Sequence, residues 1–311
     1  MAGLDKPRVI LLGGPTACGK TALSVQMARQ LGAEIISADS MQVYKGLTVG
    51  TAQVTPEEMG GVVHHLVNFL DPEVPYSAAD FVEQADACIR DIHARGKLAL
   101  VVGGTGLYLS SLLDGRRYSL TPEDDGLRQS LCARLEAEGE QALYEELCQR
   151  DPQAAEAVHP HNHKRLIRAL ELSISTGQTL AQRNAASLPQ EKPYNSLLFC
   201  LSDPDRARLY ERIDRRVDVM LSRGLLEEAR RVWENRDRYP TAAQAIGYKE
   251  YFPFFDGQAT LEDCTAQLKQ ASRRYAKRQL TWFRHMDGVV RLDACDPAVC
   301  RLAVERVRQE L

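Results

Sequence analysis

No apolar stretch in this 311-residue sequence approaches the roughly 20 residues that a membrane-spanning helix requires. The N-terminal segment MAGLDKPRVILLGG holds too short an apolar run for a secretory leader, and it enters a glycine-rich motif directly. These absences exclude a protein with membrane-spanning helices. We expect a cytoplasmic protein that does not bind a membrane.

The sequence also lacks the cysteine and histidine patterns that hold zinc or form a disulfide framework. Its eight cysteines include no CxxC pair, and none stands at zinc-finger spacing from a histidine. His159, His161 and His163 cluster, but no neighbouring cysteine or carboxylate completes a set of metal ligands. We therefore expect reduced thiols and no zinc site.

An excess of positive charge is absent as well, since the formal net charge is -3 at pH 7. The total charge is therefore not that of a nucleic-acid-binding protein. A local basic patch can still bind a phosphate backbone, because binding depends on the patch and not on the sum. The hydrophobic fraction of 44% is enough for a large globular core.

What the sequence does have is an alternation of short apolar runs and amphipathic segments in its first third. The runs at 9–12, 34–38 and 98–102 predict strands, and helices are predicted at 20–31 and 81–96. Strands separated by helices in this way form a parallel sheet covered by helices. The predicted fold class is α/β, with a P-loop NTPase-like parallel sheet flanked by helices and an all-helical insertion domain.

The insertion begins where the strand signals stop. From about residue 118 to 177 only helical periodicity is present, with candidate helix starts at Thr121-Pro122 and Asp151-Pro152. A strand at 196–201 is expected to rejoin the sheet. The prediction is a catalytic core formed by 1–117 and 196–311, and a helical domain at 118–195. The rest is expected to be helical, at 205–235, 241–251, 260–286 and 297–310.

A phosphate-binding loop follows the first predicted strand. Residues 14–21 read GPTACGKT, which fits G-x-x-x-x-G-K-[ST] and opens a predicted helix. Successive backbone N–H groups in such a loop bind an anion, and the helix N-terminus adds a favourable field. Lys20 would contribute a charge, and Thr21 a hydroxyl for Mg²⁺. The motif predicts phosphate binding without specifying the compound.

Two features differ from a nucleoside triphosphatase. The strand at 98–102 ends in Gly103-Gly104-Thr105-Gly106, without the acidic residue that would hold Mg²⁺. A carboxylate instead follows the second strand, at Asp39. Because strand C-termini line the ligand crevice of an open α/β sheet, Asp39 is expected to face the same cleft as the P-loop. It is a candidate general base or metal ligand.

Two other classes share parts of this pattern. A small-molecule or nucleotide kinase has the same loop and sheet, and Arg128 or Arg165 could belong to its lid. A non-catalytic RNA-binding GTPase-like module is expected to carry a base-specificity motif such as NKxD, and the sequence has none.

The ordered set of motifs resembles the tRNA dimethylallyltransferase (tRNA isopentenyltransferase) family. It comprises GPTACGKT, then SADSMQVYKGLTVGTA at 37–52, VVGGTGLYL at 101–109, QAIGYKE at 244–250 and KRQLTWFR at 277–284. The resemblance spans about 15–285, nearly the whole chain. It implies an enzyme that transfers a dimethylallyl group from dimethylallyl diphosphate to N6 of the adenosine 3′ of the anticodon, in tRNAs that read codons beginning with U.

The resemblance also implies roles for residues. It makes Asp39, Thr105 and Arg216 catalytic, with Mg²⁺ held at Thr21 and Asp39 as a second candidate ligand. The diphosphate would be bound by Gly14, Pro15, Thr16, Ala17, Cys18, Gly19, Lys20 and Thr21. The tRNA anticodon stem-loop would be contacted by Asp39, Ser40, Met41, Gln42, Thr105, Arg128, Lys164, Arg165, Leu166, Ile167, Arg168, Gln244, Ala245, Ile246, Gly247, Tyr248, Lys249, Lys277, Arg278, Gln279, Leu280, Thr281, Trp282, Phe283 and Arg284. The helical insertion would grip the anticodon stem, and we expect a monomer.

The last of these segments also predicts an RNA-binding face by its own pattern. Residues 273–284 contain five basic side chains and no acid. On a helix, Arg274, Lys277, Arg278, Arg284 and Thr281 share one face. The opposing face is apolar, formed by Ala276, Leu280 and Phe283.

Overall fold

The computed structural model describes residues 6–116 and 125–311. Within these residues, six strands form one parallel sheet in the order β3-β2-β4-β1-β5-β6. The predicted α/β fold class is confirmed. The strands are β1 Arg8–Gly13, β2 Ala33–Ser37, β3 His64–His65, β4 Leu98–Val102, β5 Asn195–Ser202 and β6 Val290–Asp293.

The central strands read as apolar runs because both of their faces are covered. Along β1, Val9 and Leu11 belong to one hydrophobic cluster, while Ile10 and Leu12 belong to another. Successive side chains of a strand point to opposite faces, so the two clusters are the two sides of the sheet. The nine helices that the core places around this sheet are α1 Lys20–Leu31, α2 Pro56–Met59, α3 Ala78–Ala94, α4 Gly106–Leu113, α9 Arg206–Ser222, α10 Leu225–Glu234, α11 Phe252–Phe255, α12 Leu261–Arg284 and α13 Val299–Glu310, all within the described residues.

The sheet is larger than the sequence predicts, because two edge strands were missed. β3 has only two residues, which is too short to leave a periodic signal. β6 lies in a region that was expected to be wholly helical, between α12 and α13. Its residues alternate between exposed Arg291 and Asp293 and buried Leu292, as in an edge strand with one covered face.

Two expected helices were also wrong in detail. The segment 205–235 is two helices, because Gly224 adopts φ 95° between α9 and α10. The segment 241–251 is not a continuous helix but two short 3-10 turns, Ala242–Gln244 and Lys249–Tyr251. Gly247 between them has φ 112°, a left-handed conformation that breaks helical geometry.

The chain divides into two compact units, one of residues Met1–Asp114 with Lys192–Leu311 and the other of Gly115–Glu191. The sequence places these divisions at 118 and 195. In the smaller unit, the described residues form only helices: α5 Asp125–Arg150, broken at Gly139, then α6 Pro152–Ala157, α7 His163–Thr176 and α8 Leu180–Ser187. Asp151 caps α6 as its sequence predicts. The expected start at Thr121-Pro122 lies outside the described residues.

The smaller unit has a hydrophobic core of its own, which includes Leu131, Leu143, Leu166 and Leu170. Across the residues that the structure describes, none of the helices has the length and apolarity of a membrane span.

Candidate functional site

The candidate site lies at the C-terminal ends of the central strands, where β1, β4 and β2 end side by side. Each strand is followed by a segment that the sequence singles out: 14–19 after β1, Gly103–Gly106 after β4 and Asp39-Ser40 after β2. β4 lies between the other two. At about 4.8 Å per strand spacing, the segments after β1 and β2 are separated by roughly 10 Å. The predicted convergence of Asp39 and the P-loop on one crevice is therefore consistent with the strand order.

The P-loop turns sharply away from β1. Gly14 adopts φ 145°, and a Cβ added there would lie 2.2 Å from the carbonyl oxygen of Leu201, so no other residue fits. α1 begins at Lys20. The first N–H groups of a helix have no intrahelical partner, so they are available to an anion. The side chain of Lys20 folds back on the loop, where its Nζ donates to the carbonyls of Gly14 at 2.9 Å and Pro15 at 2.6 Å.

Asp39 is half-buried and held in place by its own turn. Its Oδ1 accepts hydrogen bonds from the backbone N–H of Met41 at 2.9 Å and of Gln42 at 3.3 Å. The next residue, Ser40, donates its N–H to Thr105 Oγ1 at 3.3 Å. The segments after β2 and β4 are thus joined, and the catalytic pair predicted from the sequence lies together.

Arg216 lies on α9, within electrostatic range of Asp39. The Arg216 side chain is half-buried, and burial lowers its pKa, while the negative charge of Asp39 opposes that shift. Arg212 lies one turn earlier on the same helix, and a Cβ added to Gly19 would be 3.6 Å from its Nη2. Sequence reasoning did not select Arg212. Arg212 could have been selected from its spacing, because residues four positions apart lie on the same face of a helix, here the face of Arg216.

Tyr275 of α12 is, after Arg212, a second residue of the site to which the sequence analysis gave no role. Burial raises the pKa of Tyr275 to about 12, and the charge of Asp39 acts in the same direction. Hydrogen bonds with the side chains of Thr105 and Gln279 oppose the rise. The phenol of Tyr275 is therefore neutral at physiological pH.

The outer face of α12 agrees with its predicted pattern. Arg274, Lys277, Arg278, Thr281 and Arg284 are exposed, while Ala276 and Phe283 are buried. Trp282 is 41% exposed, and its indole lies over Gly106 at the start of α4, where a Cβ would be 2.3 Å from Cδ1. A basic face with an accessible aromatic ring is suited to nucleic acid.

Seven of the residues that are expected to contact tRNA are buried in the structure. Their side chains, where they have one, pack in the interior, and their contact with tRNA stays a prediction. The buried residues are Leu166, Ile167, Ala245, Gly247, Tyr248, Gln279 and Phe283.

Other predicted contacts remain at the surface. Lys164, Arg165, Gln244 and Lys249 are exposed, and Leu280, Ile246, Met41 and Gln42 are half-buried. In the smaller unit, the buried Glu171 pairs with Arg128 at 3.1 Å and with Arg168 at 3.0 Å. These two arginines therefore have a structural task in addition to the predicted one.

Glu228 of α10 explains why the motif at 37–52 is folded as it is. Its buried carboxylate accepts hydrogen bonds from the N–H groups of Thr48 at 2.8 Å, Val49 at 3.1 Å and Gly50 at 2.7 Å. Sequence reasoning missed this residue, because nothing local distinguishes it from an exposed helix glutamate.

A magnesium ion fits the chemistry of the crevice. Mg²⁺ usually takes one or two protein oxygens and completes its shell with substrate phosphates and water. Thr21 is exposed on the first turn of α1, next to the N–H groups that would hold phosphate. No group of three or more histidine, cysteine or acidic side chains suited to a metal occurs in 6–116 and 125–311. Thr21, with Asp39 as the second candidate, thus remains the expected ligand.

Comparison with known proteins gives matches along most of the chain. The family model described as IPP transferase matches residues 42–286, and the model described as Isopentenyl transferase matches residues 7–68. The chain is 46% identical over 302 residues to the tRNA dimethylallyltransferase of Bacillus subtilis, which covers 97% of this chain and 96% of the relative. It is 44% identical over 291 residues to that of Halalkalibacterium halodurans, with 94% and 92% covered.

Solved structures of tRNA-modifying transferases also align with most of this chain. A crystal structure of full-length tRNA isopentenylpyrophosphate transferase from Bacillus halodurans aligns with a TM-score of 0.72 at 41% identity, covering 98% of each chain. A eukaryotic dimethylallyltransferase acting on tRNA aligns with a TM-score of 0.79 at 33% identity, covering 93% of this chain and 74% of the other.

Proposed function

Because the chain belongs to the IPP transferase family and is thus an enzyme that transfers a dimethylallyl group to tRNA, we propose that the crevice at Asp39 is where this transfer occurs. The donor is dimethylallyl diphosphate, and the acceptor is N6 of the adenosine 3′ of the anticodon. The tRNAs concerned are those that read codons beginning with U. The observation that carries this proposal is the hydrogen bond of Ser40 to Thr105 at the edge shared with the P-loop.

The donor side of the reaction is assigned to the P-loop. Residues Gly14 to Thr21 hold the diphosphate through backbone N–H groups, and Lys20 moves from the carbonyls of Gly14 and Pro15 onto a phosphate oxygen. Arg216 and Arg212 add positive charge from α9. As the C1–O bond breaks, negative charge accumulates on the departing diphosphate, and these groups stabilise it.

The acceptor side is assigned to Asp39. The lone pair of adenine N6 is delocalised into the ring, so the amine is a poor nucleophile. As N6 bonds to C1 of the prenyl group, Asp39 takes the N6 proton, which contributes on the order of 10²–10⁴-fold. Thr105 contacts the target nucleotide, and its hydroxyl accepts a hydrogen bond from the backbone N–H of Ser40.

Magnesium is proposed to be held by Thr21 and the diphosphate, with Asp39 as a further candidate ligand. The ion would supply charge neutralisation to the leaving group.

The tRNA is proposed to lie on the exposed face of α12, with the helical insertion domain on its anticodon stem. An anticodon-loop base is stacked, so it must be extruded into the crevice at a cost of roughly a few kcal/mol. Trp282 offers a ring on which a neighbouring base can stack. We propose that the protein acts as a cytoplasmic monomer.

The test is mass spectrometry of anticodon-loop nucleosides after the protein, tRNA, dimethylallyl diphosphate and Mg²⁺ are incubated together. We expect a dimethylallyl group on N6 of the adenosine next to the anticodon. Consumption of ATP in the absence of RNA, without nucleoside modification, would instead favour the kinase alternative.

A further inference from the structure

A second concave site, apart from the P-loop, lies where β5 ends, between α12 and β6. It is a cavity of about 170 Å³, lined in part by leucine and phenylalanine side chains of α9 and α12. Three arginines from three separate elements also line it. They are Arg206 at the start of α9, Arg284 at the end of α12 and Arg291 on β6.

The charges of these three arginines are not compensated within the protein. All three side chains are exposed, and none forms an ion pair or a side-chain hydrogen bond with another residue in 6–116 or 125–311. Other arginines of the same two helices do have acidic partners, since Arg208 pairs with Asp203 and Arg273 pairs with Asp214. Three like charges around one cavity repel one another, so an anion placed between them would be stabilised.

The acidic side chain in the lining of the cavity, Asp203, does not offset this positive charge. It is buried and accepts two hydrogen bonds from Arg208, from Nε at 2.7 Å and from Nη2 at 2.6 Å. Such a bidentate pair neutralises the carboxylate. Arg206 adds a further argument, because it is the first residue of α9 and its charge lies at the positive end of the helix dipole. That position is unfavourable for a cation unless an anion is nearby.

The cavity adjoins the proposed RNA surface. Arg284 belongs to the exposed basic face of α12, and of the three arginines it alone is predicted to contact tRNA. Phe283 lines the cavity, and its ring also lies against Gly13, where a Cβ would be 2.2 Å from Cε1. An RNA strand on this face of α12 would therefore pass the mouth of the cavity close to the P-loop.

We propose that the cavity is a second phosphate-binding site, which holds a backbone phosphate of the RNA substrate between Arg206, Arg284 and Arg291. Guanidinium groups suit this ligand, because their planar forks donate paired hydrogen bonds to phosphate oxygens. Free inorganic phosphate has the same chemistry and is the alternative source of the anion. The choice of RNA rests on the proposed tRNA face of α12, whereas the positive charge of the cavity does not.

Filter binding of an anticodon stem-loop RNA to the intact protein, across a range of salt concentrations and without dimethylallyl diphosphate, tests the RNA assignment. The double variant Arg206→Gln/Arg291→Gln removes two charges from the cavity and leaves the crevice unchanged. We expect its affinity for RNA to fall about tenfold at low salt. The slope of its binding constant against salt concentration, both as logarithms, should decrease by about 0.7, the contribution of one phosphate.

Arg223→Gln is the matched control. Arg223 is exposed at the other end of α9, and its side chain has no ion pair among the described residues. This variant should leave both the affinity and the slope unaltered. Because all the replaced side chains are exposed, urea unfolding should give similar stabilities for the variants and the unmodified protein.

Calorimetric titration with inorganic phosphate separates the two sources of the anion. It uses Lys20→Ala protein, in which the P-loop has lost its charged side chain. Adding Arg206→Gln/Arg291→Gln to this protein should weaken phosphate binding further, by about threefold or more, and adding Arg223→Gln should not.

Each outcome decides one part of the proposal. If the double variant changes neither the RNA slope nor the phosphate titration, the cavity is not an anion site. If only the phosphate titration weakens, the cavity binds free phosphate and the RNA assignment is wrong. If the unmodified protein does not bind the RNA, the proposed tRNA face is wrong, and the phosphate titration still decides whether the cavity binds an anion.

Discussion

The phenol of Tyr248 donates a 2.8 Å hydrogen bond to Glu228, and both side chains are buried. Tyr248 belongs to the motif QAIGYKE, while the same carboxylate holds three N–H groups of the motif at 37–52. Two sequence motifs almost 200 residues apart are thus joined through a third element, α10. Burial together with the nearby carboxylate raises the pKa of Tyr248, so the phenol remains a donor.

We expect Glu228→Gln to destabilise the protein by about 3 kcal/mol, because an amide presents an N–H₂ group to backbone donors and leaves some of them unsatisfied. Urea unfolding measures the change. Glu234→Gln, at an exposed position of α10, is the matched control and should cost less than about 0.5 kcal/mol. Equal losses in the two variants would contradict the role of Glu228.

Asp39→Asn should abolish most prenyl transfer while retaining tRNA binding. The amide oxygen can still accept from Met41 and Gln42, so the turn persists, but the base is lost. Single-turnover rates should fall on the order of 10²–10⁴-fold. Asp71→Asn, at an exposed turn, serves as the control. Near-normal turnover in Asp39→Asn would refute the assignment of the base.

Lys20→Ala should weaken the diphosphate substrate more than tRNA. The ammonium lies against the loop that is proposed to hold the diphosphate, and its loss removes a charged contact. Steady-state kinetics with each substrate varied in turn should give a larger rise in KM for dimethylallyl diphosphate. A larger rise for tRNA would place Lys20 elsewhere in the reaction.

Arg278→Glu should weaken tRNA binding and reduce the slope of its dependence on salt concentration, because a phosphate contact is lost. Arg301→Glu on α13 makes the same change in charge at another exposed position and should leave the slope unaltered. Filter binding across a range of salt concentrations gives both values. If the two variants behave alike, α12 does not form the interface.

The ion pairs of Glu34 should make the free energy of unfolding depend on pH. The hydrogen bond from Arg95, with bonds from Lys97 at 2.8 Å and His65 at 2.8 Å, lowers the pKa of this carboxyl. Because the folded-state pKa lies below the unfolded one, the stabilisation is present above the ordinary glutamate pKa of about 4.3 and is lost as the pH falls below it. The gap in unfolding free energy between the unmodified protein and Glu34→Gln should therefore narrow between pH 7 and pH 3. A constant difference would show that the ion pairs of Glu34 do not make the stability depend on pH.

The sequence could predict the parts of the fold that depend on short local patterns. β1, the P-loop and α1 are contiguous, and their chemistry is set by residues 8–31 alone. Asp39 and Thr105 could be placed in one crevice because parallel strands end at a common edge.

Residues whose role depends on tertiary contacts could not be found in this way. Gln279 was placed on the tRNA face by its motif, yet it faces inward, because its position on α12 adjoins buried Ala276 and Phe283. Arg212, Tyr275 and Glu228 reach the site or its supporting loop from helices far along the chain. Their helical periodicity gives a buried or exposed face but not the partner.

The position of β4 between β1 and β2 sets the distance between the P-loop, the proposed site of the prenyl donor, and Asp39, the proposed proton acceptor. Backbone hydrogen bonding in the sheet determines this distance, so the distance is fixed. Changes in the surrounding loops can alter how tightly either substrate binds, but they leave the distance between the P-loop and Asp39 unaltered.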